Sequence, residues 1–399
     1  MKELRAFFEM TGLTLLPLAV LFLAVAGPLR PAREPGPEAV SSEAPAASPS
    51  PAPEKRTYGA ETLPPTMPAW PGQPLPADTE SEEKVTESGA AVSAEALPES
   101  EPEKAQPVLS PASEDAGVTV DILFGSRVER MTLRDYLLGV VAAEMPASFE
   151  PAALEAQAVA ARTDTLYRLL VARPHREAAC CVDPGCCKAY LSPEELRRRW
   201  GEDYDRWAEK IAAAVDATDG EVLTWEGKPI FAAFHACSEG WTDASVDVWV
   251  AALPYLRSVP TLETEADVPS FRSTVRFGAE ELRSLLLENV PGAELPEDPA
   301  AWLRGEKTSA SGRLQSLEIG GVTLSGSALR RLLGLRSTKL RWSYADGVFI
   351  FETAGYGHGV GLSQYGAEVL ARAGESCEEI LLHYYPGTEL TDLGEVFPG

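Results

Sequence analysis

The chain has 399 residues and carries 60 acidic against 35 basic side chains, which gives a formal net charge of −25 at pH 7. Binding to nucleic-acid phosphates needs clustered lysine and arginine, so this charge balance argues against nucleic acid as a partner. The length would allow two or three domains, but composition changes sharply along the chain and confines the predicted folded part to residues 118–399.

The N-terminal segment, residues 1–27, contains an apolar run over residues 12–27 that follows Lys2 and Arg5. This run is shorter than the roughly 20 residues that cross a bilayer untilted. It is either an uncleaved signal anchor or a signal peptide cleaved near Ala24-Val25-Ala26. We favour the anchor, and we therefore expect a single-pass protein of the cell membrane whose remaining chain is extracytoplasmic.

Residues 28–117 consist mainly of proline, alanine, glutamate and serine, with almost no apolar periodicity. Such a segment buries too little apolar surface to offset its conformational entropy, so we predict a disordered linker. Proline-rich and charged linkers are extended, and this one would hold the folded part away from a membrane surface.

The folded part, residues 118–399, mixes helical and strand patterns without a regular βαβ alternation. This pattern predicts an α+β fold, a single domain with an inserted subdomain. A helix should begin at Pro151, Asp346-Gly347 should form the turn of a hairpin, and the last helix should run from Ser363 to Gly374. The predicted strands are Val118–Leu123, Val222–Trp225, Ile230–His235, Thr274–Phe277, Leu317–Ile319, Trp342–Tyr344 and Val348–Thr353.

Glu144 is the most informative residue, because it belongs to an apolar stripe and lies at the end of a predicted helix. Thr132 and Asp135 resemble a capping box that starts this helix, and Pro146 disfavours helical geometry at Met145. A carboxylate beside apolar side chains, near the negative end of the helix dipole, favours its neutral form. Such a group suits a general acid near neutral pH; a solvated glutamate at a helix end is the alternative.

The cysteines indicate a metal site or disulfides. Four of the six lie in the segment CCVDPGCC, and five residues separate His175 from Cys181 and Cys181 from Cys187. Thiolates with an imidazole suit zinc, whereas disulfides are usual for cysteines outside the cytosol. The pattern alone leaves zinc, disulfides and free thiols open. The spare candidates for a fourth metal ligand are Cys180, Cys186 and Cys237.

Two histidines lie in distinctive segments, His235 in FHACSEGWT and His358 in GYGHGVGLSQYG. The glycines around His358 allow close backbone approach and positive φ angles. A loop that leads into a helix at Ser363 can also present backbone N–H groups to a ligand. A plain connecting loop and a core position for His235 are the alternatives.

These segments together resemble the stage II sporulation protein D family, which includes the amidase-enhancer domain. The resemblance covers nearly all of residues 118–399 in the right order, although Cys237-Ser238-Glu239-Gly240 departs from the Ser/Thr-rich and Gly-Gly stretch of relatives. The four stretches that carry it are Tyr136–Leu170, FHACSEGWTD, GVTLSGSALRRLLGLRST and the C-terminal GYGHGVGLSQYGAEVLARAGESCEEILLHYYPGTEL.

The resemblance implies a membrane-anchored lytic transglycosylase, with its catalytic domain over residues 118–399, that cuts peptidoglycan strands stripped of stem peptides during forespore engulfment. The family's catalytic glutamate matches Glu144, and an arginine implicated in substrate binding matches Arg162. Its zinc ligands match His175, Cys181 and Cys187. The further substrate-binding candidates are His235, Ser238, His358, Ser363 and Gln364. The expected partners are glycan strands and a membrane, with a peptidoglycan amidase and a membrane scaffold of the engulfment machinery as further candidates.

The carboxylate count favours transglycosylation over hydrolysis. Hydrolytic glycosidases generally use two carboxylates that flank the scissile bond, whereas a lytic transglycosylase needs one, because the 6-hydroxyl of the sugar replaces water. Glu144 is the one well-placed carboxylate, so we expect 1,6-anhydro-muramoyl products and a structural role for zinc. The alternatives are a glycan-binding enhancer of a partner amidase and a zinc hydrolase whose metal activates water.

Overall fold

The computed structural model describes residues 113–249 and 251–397. The predicted anchor, residues 1–27, and the predicted linker as far as residue 112 lie outside the described residues. Over the described ranges, no helix combines the length and the apolar character that a membrane crossing requires.

Helices and short strands alternate irregularly along the described chain. The helices are α1 (Glu114–Gly117), α2 (Leu133–Glu144), α3 (Pro151–Tyr167), α4 (Pro193–Trp200), α5 (Tyr204–Ala217), α6 (Ser245–Val248), α7 (Ala279–Asn289), α8 (Gly326–Leu332), α9 (Gln364–Arg372), α10 (Cys377–Tyr384) and α11 (Leu393–Val396). The strands are β1 (Thr119–Phe124), β2 (Arg127–Thr132), β3 (Cys180–Cys181), β4 (Glu221–Trp225), β5 (Lys228–Pro229), β6 (Phe234–His235), β7 (Arg272–Gly278), β8 (Leu303–Thr308), β9 (Leu314–Ile319), β10 (Val322–Ser325), β11 (Leu340–Ala345), β12 (Val348–Ala354), β13 (Leu362–Ser363) and β14 (Glu389–Asp392).

The α+β prediction is confirmed, because these strands pair in small sheets of two or three strands among the helices. The sheet orders are β2-β1-β3, β10-β9-β8, β11-β12-β7, β13-β6 and β14-β4-β5. The predicted hairpin is present as β11 and β12, with Ala345 opposite Val348. Asp346 and Gly347 both have positive φ, 50° and 79°, as a two-residue turn that matches the strand twist requires.

The helix that carries Glu144 begins and ends where its sequence predicts. The Thr132 side chain accepts a hydrogen bond from the backbone N–H of Asp135 at 3.1 Å. Met145, which precedes the proline, has extended geometry with φ −118° and ψ 147°. The apolar stripe of α2 is fully buried, and it consists of Leu133, Leu137, Val140 and Val141.

Helix α3 begins at Pro151 as predicted and is buried on nearly every side. It packs in the larger of the hydrophobic clusters, which also contains side chains from α2, α5 and α10. Its many alanines allow neighbouring elements to approach from several directions, so α3 is the central helix of the domain rather than a helix with one narrow apolar stripe.

A separate hydrophobic cluster forms in the region from β7 to β12, which we call the inserted lobe (Arg272–Ala354). Its centre includes Leu286, Leu317 and Phe351, each fully buried. On either side of the lobe the chain returns to the main domain, where β6 and β13 pair in parallel, with Phe234 opposite Leu362.

Three predicted boundaries differ from the structure. Residues 113–117, predicted as linker, belong to the folded domain, because α1 packs on the domain and Asp115 is fully buried. Of the predicted strand Ile230–His235 only β6 is formed, since the pairing partner β13 is two residues long. The helix that ends near Gly374 is followed by α10 and α11, so it is not the last one.

Candidate functional site

Glu144 lies at the end of α2 and is a partly buried residue. The backbone N–H of Ala189 donates a hydrogen bond to its Oε1 at 2.8 Å, and the side-chain amide of Gln364 donates to the same carboxylate. Burial raises the pKa of Glu144, and these hydrogen bonds together with nearby Lys188 oppose that rise. Such a carboxyl group keeps its proton to higher pH than an exposed glutamate and can deliver it to a bound molecule.

Gln364 is held beside Glu144 from two sides. Ser363 is the N-cap of α9 and fixes the start of the helix on which Gln364 is the first residue. The Gln364 Nε2 donates to Oε1 of the buried Gln157 at 3.3 Å. Because both amides are buried, Gln364 has little freedom to turn away from the Glu144 carboxylate.

Glu263 connects three segments of the site, although no sequence pattern distinguishes it. Its buried carboxylate accepts hydrogen bonds from the Ser238 N–H at 2.7 Å, the Ser363 hydroxyl at 2.5 Å and the hydroxyl of Thr261. Ser238 and Ser363 are distant from Glu263 in sequence, so only the folded structure brings these two donors to it. Through Ser363, Glu263 fixes the start of α9 and hence the position of Gln364.

His235 and Ser238 are buried against the glycine-rich loop, residues 355–361, and are not at the protein surface. The His235 Nδ1 donates to the Val360 carbonyl at 3.2 Å, so its Nε2 accepts from the Ser238 hydroxyl at 2.6 Å. The Ser238 hydroxyl also accepts from Nη2 of Arg313, in the inserted lobe, at 2.8 Å. Burial lowers the pKa of His235 well below its usual value, so the imidazole is neutral. Both side chains are fully engaged inside the protein.

His358 is partly buried, and its ring nitrogens face backbone groups. Its Nδ1 accepts from the Val360 N–H at 3.1 Å, and the Phe234 carbonyl accepts from the imidazole. Burial lowers the pKa of His358 to about 3, so the ring is neutral. Its centroid lies 5.6 Å from that of His235 and 5.2 Å from that of Trp249.

Arg162, predicted to bind substrate, is instead fully enclosed in the core. Its guanidinium binds the fully buried Asp115 through Nε at 2.8 Å and Nη2 at 2.6 Å, and donates to the Glu221 carbonyl at 3.1 Å. These contacts attach α1 to α3 and leave Arg162 no path to a ligand. The structure thus gives this arginine a structural place, apart from the contacts of Glu144.

His175, Cys181 and Cys187 do come together, and Cys186 joins them. The four ligand atoms lie within 4.8 Å of one another. The His175 Nε2 lies 3.2 Å from the Cys187 Sγ and 3.7 Å from the Cys186 Sγ, and the two sulfurs are 3.9 Å apart. Sulfurs bound at about 2.3 Å to a tetrahedral zinc are about 3.8 Å apart. The donor set therefore fits a closed Cys₃His zinc centre, and all six cysteines are free of disulfides.

The loop over residues 175–189 carries the candidate metal ligands, and we call it the metal-ligand loop. It ends beside Glu144. Cys187 is followed by Lys188, whose buried ammonium donates to Asp164 at 2.5 Å. Ala189, which donates to Glu144, comes next. Arg168 donates to Asp164 at 2.7 Å and to the Cys187 Sγ at 3.5 Å. The metal-ligand loop thus holds the Ala189 N–H at the Glu144 carboxylate.

Most predicted site residues therefore form one connected region. Gln364 contacts Glu144 directly, while Ser363, Ser238 and His235 lie in the adjoining buried network. The metal-ligand set reaches Glu144 through Ala189, and Arg162 lies outside these contacts. Sequence reasoning missed Glu263, Gln157 and Lys188. Gln157 lies within one of the stretches that carry the resemblance and the other two lie outside them, but each acts through a partner distant in sequence.

Comparison with known proteins places this arrangement in a family. The family model described as stage II sporulation protein matches residues 125–225. Stage II sporulation protein D of Bacillus amyloliquefaciens is 36% identical over 288 residues, which cover 71% of this chain and 81% of that protein. The chain belongs to the stage II sporulation protein D family. The family is involved in sporulation, and the resemblance stated from the motifs is confirmed.

Two other relatives support the same assignment. Stage II sporulation protein D of Bacillus subtilis (strain 168) is 35% identical over 292 residues, covering 72% of this chain and 80% of that protein. The amidase enhancer of the same organism is 27% identical over 306 residues, covering 64% of this chain and 40% of that protein. The match to each of the two stage II sporulation D proteins covers more than two thirds of this chain.

Proposed function

We propose that this protein is a peptidoglycan lytic transglycosylase that cuts denuded glycan strands and releases 1,6-anhydro-muramoyl ends during engulfment. The observation that carries the proposal is Glu144, a partly buried glutamate whose pKa burial raises and whose orientation Ala189 and Gln364 fix. Membership of a sporulation family supports the biological setting.

In this mechanism Glu144 acts first as acid and then as base. Its proton passes to the glycosidic oxygen as the bond from that oxygen to the anomeric carbon of the muramoyl sugar breaks. The 6-hydroxyl of the same sugar bonds to the anomeric carbon and returns its proton to the Glu144 carboxylate. No water is consumed and Glu144 ends protonated, ready for another cycle. Between the two proton transfers, the Ala189 N–H and the Gln364 amide stabilise the Glu144 carboxylate.

Zinc would be held by His175, Cys181, Cys186 and Cys187. When bound it would supply folding free energy to the loop that carries Ala189. Four protein donors leave no open position for a metal-activated water, which speaks against the zinc-hydrolase alternative. The proton transfers therefore belong to Glu144.

A second candidate function is glycan binding that stimulates a partner amidase without cutting, and the similarity to the amidase enhancer favours it. A membrane anchor at residues 1–27, an extracytoplasmic catalytic domain, and contacts with a peptidoglycan amidase and a membrane scaffold of engulfment complete the proposal.

The deciding experiment is mass spectrometry of products from purified peptide-free glycan. Glu144→Gln should abolish 1,6-anhydro products, since a general acid contributes about 10²–10⁴-fold in rate. Glu155→Gln is the matched control, because burial also raises the pKa of this partly buried glutamate on α3. Equal cutting by Glu144→Gln and wild type would refute the assignment. Binding without cutting by the wild type would favour the enhancer function, and hydrolytic ends would favour metal chemistry.

A further inference from the structure

Four aromatic rings form a row that the proposed proton transfers do not use. They are Tyr167, Phe231, Trp249 and His358, and each is only partly buried. Consecutive ring centroids along the row are 5.7, 5.5 and 5.2 Å apart, and the planes of adjacent rings are inclined by 35°, 53° and 55°. Phe231 and Trp249 rest on the main hydrophobic cluster, so the core supports the row from one side. Partly exposed aromatic rings with a rigid support are typical of ligand-binding surfaces.

One end of the row lies near the metal-ligand loop. Tyr167 precedes Arg168, whose guanidinium carbon lies 5.7 Å from the Phe231 ring centroid. Arg168 shares the Asp164 carboxylate with Lys188. Ala189, the residue after Lys188, donates to Glu144. This end of the row is therefore connected to the proposed general acid through the loop.

The other end of the row lies in the glycine-rich loop. His358 stands five residues before Ser363, and the chain between them runs through β13 into the helix that presents Gln364. Because both nitrogens of His358 are engaged with backbone groups, the ring face is the part that it can offer a ligand.

We propose that Tyr167, Phe231, Trp249 and His358 form a platform on which several consecutive sugars of a glycan strand stack as the strand crosses the site. The identity of the ligand rests on the proposed function. Ring faces pack against the C–H faces of pyranose sugars, and the ring spacing is comparable with the advance of one sugar along a β-1,4-linked strand.

The test measures binding of denuded glycan in the non-cutting Glu144→Gln background. Adding Trp249→Ala should weaken binding of long strands about tenfold, the scale of one lost stacking contact. Trp249→Phe keeps a ring and should recover most of the affinity. Tyr167→Ala, at the far end, should weaken long strands but leave a disaccharide unaffected, because a short ligand cannot reach it.

Trp342→Ala is the matched control, since Trp342 is a partly buried tryptophan that packs on the core of the inserted lobe. It should leave glycan affinity unchanged, and melting curves should establish that every variant is folded. Unchanged affinity in folded Trp249→Ala and Tyr167→Ala would overturn the platform, while cutting by the wild type would leave the proposed function intact. A wild type that neither binds nor cuts glycan would instead refute the proposed function, and the platform with it.

Discussion

The buried pair of Arg162 and Asp115 gives a quantitative test of where the folded domain begins. Asp115→Asn removes the charge that compensates a guanidinium with no solvent exposure. Removing one partner of a buried ion pair costs about 3–5 kcal/mol, a large part of the roughly 5–15 kcal/mol that stabilises a typical domain. Unfolding in denaturant, followed by far-ultraviolet circular dichroism, should therefore show a much lower midpoint for Asp115→Asn.

The surface pair of Arg130 and Asp121 is the matched control, because it has the same two-bond geometry, at 2.8 and 2.9 Å, but lies at the surface. Asp121→Asn should barely move the midpoint. An Asp115→Asn midpoint equal to that of the wild type would refute the reasoning. Replacing both buried partners, Asp115→Leu with Arg162→Met, should recover much of the stability. If that double variant is stable but binds glycan poorly, Arg162 has a role at the ligand after all.

Three further predictions concern the site. Gly357→Ala should lower the melting temperature more than Gly347→Ala, because an added Cβ at Gly357 lies 2.7 Å from His235 Cβ, whereas nothing lies within 4 Å at Gly347; equal shifts would contradict this. Chelating the metal should speed hydrogen exchange at the Ala189 N–H and lower activity in parallel; full activity in metal-free protein would refute the link to Glu144. The pKa of Glu144 is raised by burial, so its contribution to stability is complete below its ordinary pKa of 4.5 and is lost as pH rises through the folded-state value. As the pH rises from 4.5 through the folded-state pKa of Glu144, the Glu144→Gln variant should therefore gain stability relative to the wild type. The kcat/KM of the wild type should fall over the same pH range. A stability difference that does not change with pH would refute this reasoning.

Local signals predicted the elements nearest the proposed acid. Thr132 before α2, Pro146 after it and Pro151 at the start of α3 act within one helical turn, so the sequence alone specifies them. The Asp346-Gly347 turn is equally local. The spacing from His175 left a metal site, disulfides and free thiols open, and the fold brings Cys186 to the same cluster as a fourth possible metal ligand.

Features that depend on distant partners could not be predicted in the same way. Asp115 lies in a segment whose average composition indicates disorder, yet contact with Arg162 orders it. Glu263 gains its importance from donors in other segments, and nothing in its own surroundings marks it. The Ile230–His235 segment has strand propensity, but only two residues find a partner, because β-propensity depends strongly on context.

The pairing of β6 with β13 has a consequence for the order of folding. The whole inserted lobe lies between these strands in sequence, so their contact closes a very long loop, and long-range contacts form slowly. The lobe has its own hydrophobic cluster and can gather its local contacts first. A chain caught before the closure would carry Glu144 on a completed helix but lack Gln364 beside it. We therefore expect the site to become competent only in the last step of folding, when the two halves of the main domain meet.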